Sequence, residues 1–141
     1  MAKFMRKQRK IKYKIKKLEV HLDKRGWFVE MLKRDEINDD IKQISVASIK
    51  PGCVRGNHYH LKRIEWFFLI GGDGKVFLED LETNKKFSFK VFSKEPKVIT
   101  VFPKMVHAFK NTSKKTIYFV EAQNDIYNPK NTDKFSYLIC K

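Results

Sequence analysis

Turn signals interrupt this chain at short intervals and leave room for little besides strands. They are Asp23-Lys24-Arg25-Gly26, Lys50-Pro51-Gly52, Gly71-Gly72-Asp73-Gly74, Glu82-Thr83-Asn84-Lys85, Thr112-Ser113-Lys114-Lys115 and Asn128-Pro129-Lys130-Asn131. Between them the sequence alternates in the two-residue period of a half-buried strand. Ile11-Lys12-Tyr13-Lys14-Ile15-Lys16 does so, as does the run in which Phe87, Phe89 and Val91 alternate with Ser88, Lys90 and Phe92. Further strands are predicted over residues 27–32, 43–49, 75–81, 98–102, 107–111, 116–123 and 135–139, with 33–40 a loop or one short helix. Residues 71–74 read as a hairpin connection, and 107–111 pairs with 116–123 around the turn at 112–115. Roughly ten short strands at roughly 8- to 12-residue spacing predict an all-β sandwich or closed barrel.

One segment breaks the alternation. Trp66-Phe67-Phe68-Leu69-Ile70 is apolar on both faces, so a cover is needed outside the barrel. An extra sheet or a second copy would supply it; at 141 residues the second copy is favoured, and a homodimer is expected. The length allows one domain with a real core, over 18–141, preceded by a basic arm or first strand over 1–17. No apolar run approaches the roughly 18 to 20 residues of a membrane span. The basic start is followed by no hydrophobic region, which predicts no secretory signal and a cytoplasmic protein. Cys53 and Cys140 form no Cys-x-x-Cys pair and read as bystander thiols.

The formal net charge is +15, which raises the question of nucleic acid. Residues 1–17 hold nine of the 31 Lys and Arg and no acid, leaving 22 basic against 16 acidic residues elsewhere. The excess is mainly an end effect, and no nucleic-acid motif follows the arm. A solvated basic terminus is the preferred reading, and nucleic acid is not an expected partner.

The chemistry is concentrated between Gly52 and Gly72. His58 and His60 are two apart, so a strand would project both to one face, and Glu65 follows. Imidazole and carboxylate are ligands for zinc, iron or manganese. His107, followed by Asn111, offers a fourth. Satisfied core or surface histidines are the alternative, but three of the four histidines in the chain fall on this pattern, and metal binding is preferred. His21 has no comparable partner.

These residues fit Gly-x5-His-x-His-x4-Glu-x6-Gly and Pro-x3-His-x3-Asn, and so resemble the two motifs of the cupin superfamily; a glycine usual between the proline and histidine of the second is absent. The resemblance implies a cupin-type double-stranded β-helix (jelly-roll) barrel with a metal site of His58, His60, Glu65 and His107.

A second resemblance narrows the function. Asp23-Lys24-Arg25-Gly26-Trp27-Phe28-Val29-Glu30 fits Asp-x-Arg-Gly-x-Phe-x-Glu, and Arg55-Gly56-Asn57-His58-Tyr59 fits Arg-Gly-x-His-Tyr. Both resemble the nucleotide-diphospho-4-dehydrorhamnose 3,5-epimerases. The Gly-Asn-His-x-His segment and Tyr127-Asn128-Pro129 are more similar still to the carboxy-terminal cupin domain of bifunctional capsular-polysaccharide enzymes. The resemblance covers about residues 20–135. It implies an isomerase that epimerises a nucleotide-linked 4-keto-6-deoxy sugar, at C3, for surface polysaccharide. Arg25 and Arg55 would clamp the diphosphate, Phe28 and Glu30 would hold the base, and Asn57 would also touch substrate. His58, Tyr118, Tyr127, Lys62 and Glu121 are the candidates for moving protons. In the rhamnose epimerases the histidine matching His58 is the base and no metal is required, so here ligand and base compete for one side chain. The capsular-type resemblance favours the ligand and a divalent ion, zinc first, with iron, manganese or nickel as alternatives. The rival readings are a sugar-nucleotide 3,4-ketoisomerase, a metal-dependent oxygenase and a binding module on the same barrel.

Overall fold

The computed structural model describes residues 11–141. Its strands, in order, are β1 (Tyr13–Lys17), β2 (His21–Asp23), β3 (Gly26–Phe28), β4 (Gln43–Ile49), β5 (Val54–Tyr59), β6 (Glu65–Ile70), β7 (Gly74–Asp80), β8 (Lys86–Val91), β9 (Lys97–Val101), β10 (Met105–Asn111), β11 (Ile117–Gln123) and β12 (Phe135–Ser136), with one 3-10 turn at Arg34–Glu36. One five-stranded sheet runs β1-β9-β6-β11-β4 and the other β12-β5-β10-β7-β8, while β2 and β3 form a separate hairpin. Every strand pair is antiparallel.

The sheets face each other across one core. Inward residues of β6 (Phe67, Leu69), β7 (Val76, Leu78), β9 (Ile99, Val101), β10 (Met105, Phe109) and β11 (Ile117, Phe119) make it, with Phe87 and Phe89 of β8 packed alongside. Two-residue periodicity accounts for this, since each strand sends every second side chain inward.

Three sequence expectations are corrected here. Gly71-Gly72-Asp73-Gly74 is no hairpin: β6 pairs with β9 and β11, whereas β7 pairs with β8 and β10, so the glycines carry the chain from one sheet to the other. Gly72 and Gly74 lie against Ile117 and Leu69, where a Cβ would come within 2.6 and 3.0 Å respectively. Likewise β10 and β11 do not pair, and the turn at 112–115 is a second crossing between sheets. Third, the outer faces of Trp66 and Phe68 need no second copy. Leu18, Val29, Met31, Leu32 and Ile37 of the same chain pack on them with Val98 and Ala122. The strand expected over 27–32 is accordingly short, because beyond Phe28 the chain serves as this cover.

The basic segment divides. Residues 13–17 pair with β9, and the expected arm over 1–10 lies outside the described residues. Cys53 is exposed and Cys140 half-buried, and both are free. No helix among the described residues is long and apolar enough to cross a membrane.

Candidate metal centre

His58 is the penultimate residue of β5, His60 lies just past its end, Glu65 opens β6 and His107 sits within β10. The two sheets thus supply the four groups from opposite sides. Their potential ligand atoms all lie within 4.8 Å of one another, and His60, Glu65 and His107 are buried. Imidazole centroids are 5.1 Å apart for His58 and His60, 4.6 Å for His58 and His107, and 5.6 Å for His60 and His107. Phe67 and Phe109 close the floor, their rings 5.5 and 6.1 Å from that of His107.

A bulge makes this convergence. Between His107 and Ala108 the register with β5 slips, and Gly56 and Asn57 opposite it have φ of 98° and 56°. A Cβ on Gly56 would lie 2.6 Å from the His107 carbonyl oxygen, so only glycine allows β5 so near β10. Re-aiming a side chain is what bulges beside functional sites do.

Protons are arranged as a cation would require. His60 Nδ1 faces the Asp133 backbone carbonyl, and His107 Nδ1 faces that of Met105 at 3.2 Å. A carbonyl oxygen only accepts, so each neutral ring carries its proton on Nδ1 and presents a lone pair at Nε2. Glu65 Oε1 stands 2.8 Å from His60 Nε2 and 3.2 Å from His107 Nε2. Despite these distances, none of the three atoms makes a hydrogen bond. Three buried lone-pair donors aimed at each other without a proton between them fit a divalent cation.

The electrostatics agree. Burial, aided by the neighbouring His107 ring, lowers the His58 pKa to about 3 against the opposing pull of Glu65, so His58 is neutral and free to donate a lone pair. For Glu65, burial raises the pKa but is outweighed by the polar neighbours His107, His60 and Glu121, and the carboxylate stays well below its ordinary range. Glu121, on β11, is pushed up to about 9 by burial and by its hydrogen bond and charge repulsion with Glu65. One carboxyl of the pair is ionised and the other holds a proton.

The other sequence-predicted residues are distributed as follows. Arg55 is exposed, and its Nε donates to the Ser48 carbonyl at 2.7 Å. Asn57 spends its amide on the backbone of residues 139 and 140, so its side chain anchors the tail instead of facing a substrate. Tyr118 is 48% exposed between inward Ile117 and Phe119, which puts it on the outer face, away from the cage. Tyr127 is exposed beyond β11, and Lys62 is exposed in the turn between the ligands. Arg25, Phe28 and Glu30 belong to the β2–β3 hairpin and its exit. Arg25 is held by Asp23 at 2.5 Å, Glu30 by Lys33 at 2.9 Å, and Phe28 is 60% exposed. Leu22 and Trp27 of the hairpin line one cavity with Ile70 and Gly71 at the end of β6, roughly 16 Å along the strand from Glu65. The cage and this motif are therefore apart within one chain.

With this geometry in view, the family model described as the polysaccharide biosynthesis C-terminal domain matches residues 21–135. The chain belongs to this family. Its relatives include the spore coat polysaccharide biosynthesis protein SpsL of Bacillus subtilis, 28% identical over 127 residues that cover 86% of this chain and 84% of that protein. A second is the UDP-2-acetamido-2,6-beta-L-arabino-hexul-4-ose reductase of Pseudomonas aeruginosa, 26% identical over 117 residues covering 83% of this chain. The match spans only 30% of the reductase's length. Among solved structures, the capsular polysaccharide assembling protein CapF of Staphylococcus aureus superposes with a TM-score of 0.67 at 24% identity, over 86% of this chain and 34% of CapF. The 3,5-epimerase RmlC of Legionella pneumophila, solved with dTDP-4-keto-L-rhamnose, gives 0.77 at 19% identity over 88% and 71% of the two chains. A 3,4-ketoisomerase of Helicobacter canadensis gives 0.72 at 22% identity over 87% and 89%. At these identities the superpositions establish the fold, a cupin jelly-roll. This member of the polysaccharide biosynthesis C-terminal domain family thus has the all-β barrel that its motifs imply.

Proposed function

We propose that the chain is a metal-binding isomerase of a nucleotide-diphospho-4-keto-6-deoxy sugar, acting in the cytoplasm in surface-polysaccharide synthesis and inverting C3. The observation that carries the reading is the convergence of three proton-free donor atoms, His60 Nε2, Glu65 Oε1 and His107 Nε2, beside protonated Glu121 in a barrel of a polysaccharide-biosynthesis family.

His58, His60, Glu65 and His107 would hold the ion. Three imidazoles and a carboxylate suit zinc, with iron, manganese or nickel as alternatives. A divalent ion there would supply Lewis acidity toward a ketone oxygen. The protein's own part is proton movement. In a 4-keto sugar the C3 hydrogen is acidified by the carbonyl; a base removes it, charge passes to the C4 oxygen, and a proton returned to the opposite face of C3 gives the epimer. His58 as a ligand cannot take that proton at the same nitrogen. Glu121, neutral near pH 7 and hydrogen-bonded to Glu65, would serve as the proton source, with Tyr127 and Lys62 as exposed candidates for the other face.

Arg25, Phe28 and Glu30 enter this scheme if two copies associate. One protomer's hairpin would then serve its partner's barrel, with the guanidiniums of Arg25 and Arg55 on the diphosphate.

The test uses a 4-keto-6-deoxy nucleotide sugar in deuterium oxide. Label at C3 with inversion is expected. Label at C4 with the ketone moved to C3 would mark 3,4-ketoisomerisation, the second reading, which the likeness to ketoisomerase structures keeps open. No exchange with any such sugar would overturn both.

A further inference from the structure

The turn between His60 and Glu65 is organised by a residue remote in sequence. Asp133 Oδ1 accepts the Leu61 N–H at 2.8 Å, and Oδ2 accepts those of Lys62 at 2.8 Å and Arg63 at 2.9 Å. The Asp133 backbone carbonyl takes the His60 Nδ1 proton. One residue therefore satisfies three successive backbone donors and also sets the tautomer of a ring that must present Nε2 to the cage.

Its neighbours reinforce the clasp. Asn124 Oδ1 accepts the Ile64 N–H at 2.8 Å, and Asp125 pairs with the buried Arg63 at 2.7 Å. Two residues past Asp133, β12 pairs with β5, with Ser136 opposite His58, and Phe135 stacks on Tyr59 with centroids 5.3 Å apart. The position of Asp133 is thus fixed by the strand that also lies beside another ligand. Asp133 is only partly buried, and against the opposing effect of that burial the three backbone N–H donors hold its carboxyl below the usual carboxylate range.

We infer that Asp133 is the positioning residue of the metal centre: its carboxylate fixes the 61–63 turn, and the carbonyl it thereby seats holds His60 in the Nδ1–H form that directs Nε2 at the ion. This rests on the metal-binding reading above. Groups that orient a ligand in this way commonly govern affinity by 10- to 100-fold. The arrangement also has a reciprocal consequence. Whatever is gained in metal affinity when the clasp is closed must appear as extra clasp stability when metal is bound.

The experiment compares wild type, Asp133→Ala and Asp133→Asn as full chains. Asp133→Asn keeps the shape and one acceptor, and serves should the alanine variant fail to fold. Zinc affinity is read by competition with a chromophoric chelator. The His60 tautomer is read in zinc-free protein from imidazole 15N shifts. Zinc affinity is expected to fall about 10- to 100-fold in Asp133→Ala and less in Asp133→Asn, with His60 changing from a single Nδ1–H form to a mixture. Affinity within twofold of wild type together with an unchanged tautomer would overturn the inference. Zinc failing to bind wild type would instead defeat the metal reading, while the tautomer comparison would still decide what Asp133 does.

Discussion

His58 and Glu121 are both kept neutral by burial, so the metal-free protein should respond to pH from two directions. The His58 pKa is lowered from 6.5 to about 3; the unfolded chain binds the extra proton between those values, and stability is lost as pH falls from about 6.5 toward 3. The Glu121 pKa is raised from 4.5 to about 9; the unfolded chain gives up that proton first, and stability is lost as pH rises from about 4.5 toward 9. The two effects cancel between roughly 4.5 and 6.5, leaving a plateau with a fall on either side, each group contributing up to about 1.4 kcal/mol per pH unit. Urea denaturation of zinc-free protein across pH measures this. Glu121→Gln should flatten the limb above pH 6.5, and an identical alkaline slope in the variant would refute the assignment. At this scale the sequence was legible where spacing carried the signal. His58, His60 and Glu65 are close enough in sequence for side-chain parity to join them. Asp133 was not legible, because an isolated aspartate in a polar tail looks the same whether it is solvated or caps three backbone N–H groups.

Elements tell the same story through turns. Gly71 to Gly74 has the composition of a hairpin yet connects strands of opposite sheets, because a sharp corner and a tight hairpin ask the same backbone freedom of glycine. Which strand lies beside which is decided by non-local burial, and no local pattern encodes that β6 must lie between β9 and β11. Gly56 is the reverse case, a glycine within a strand whose sequence context signals only a motif position. Its φ of +98°, and the 2.6 Å at which an added Cβ would meet the His107 carbonyl oxygen, make the bulge depend on it. Gly56→Ala should therefore cost on the order of 1–3 kcal/mol and push β5 away from β10, separating His58 from His107. Chemical denaturation and zinc competition read the two effects. A variant with wild-type stability would show that the bulge relaxes without glycine.

For the whole molecule, the apolar surface left over decides the assembly. The chain covers Trp66 and Phe68 itself, which removes the original reason for expecting a partner. Another surface supplies one. β4 is an edge strand whose Ile44 and Val46 are 66% and 69% exposed, and Tyr118 beside it on β11 is 48% exposed. The hairpin adds Leu22 at 78%, Trp27 at 54% and Phe28 at 60%. An edge strand flanked by this much apolar surface is a candidate for pairing in water, and the separation of hairpin and cage within one chain would give such a pairing a use. Ile44→Glu with Val46→Glu should convert a dimer to a folded monomer, seen by light scattering with zinc binding retained. In that monomer the Michaelis constant for the nucleotide sugar should rise far more than turnover falls, since the cage is intact and the hairpin is missing. A wild type that is monomeric at tens of micromolar would remove the dimer, and with it any role for Arg25, Phe28 and Glu30 in a partner's site.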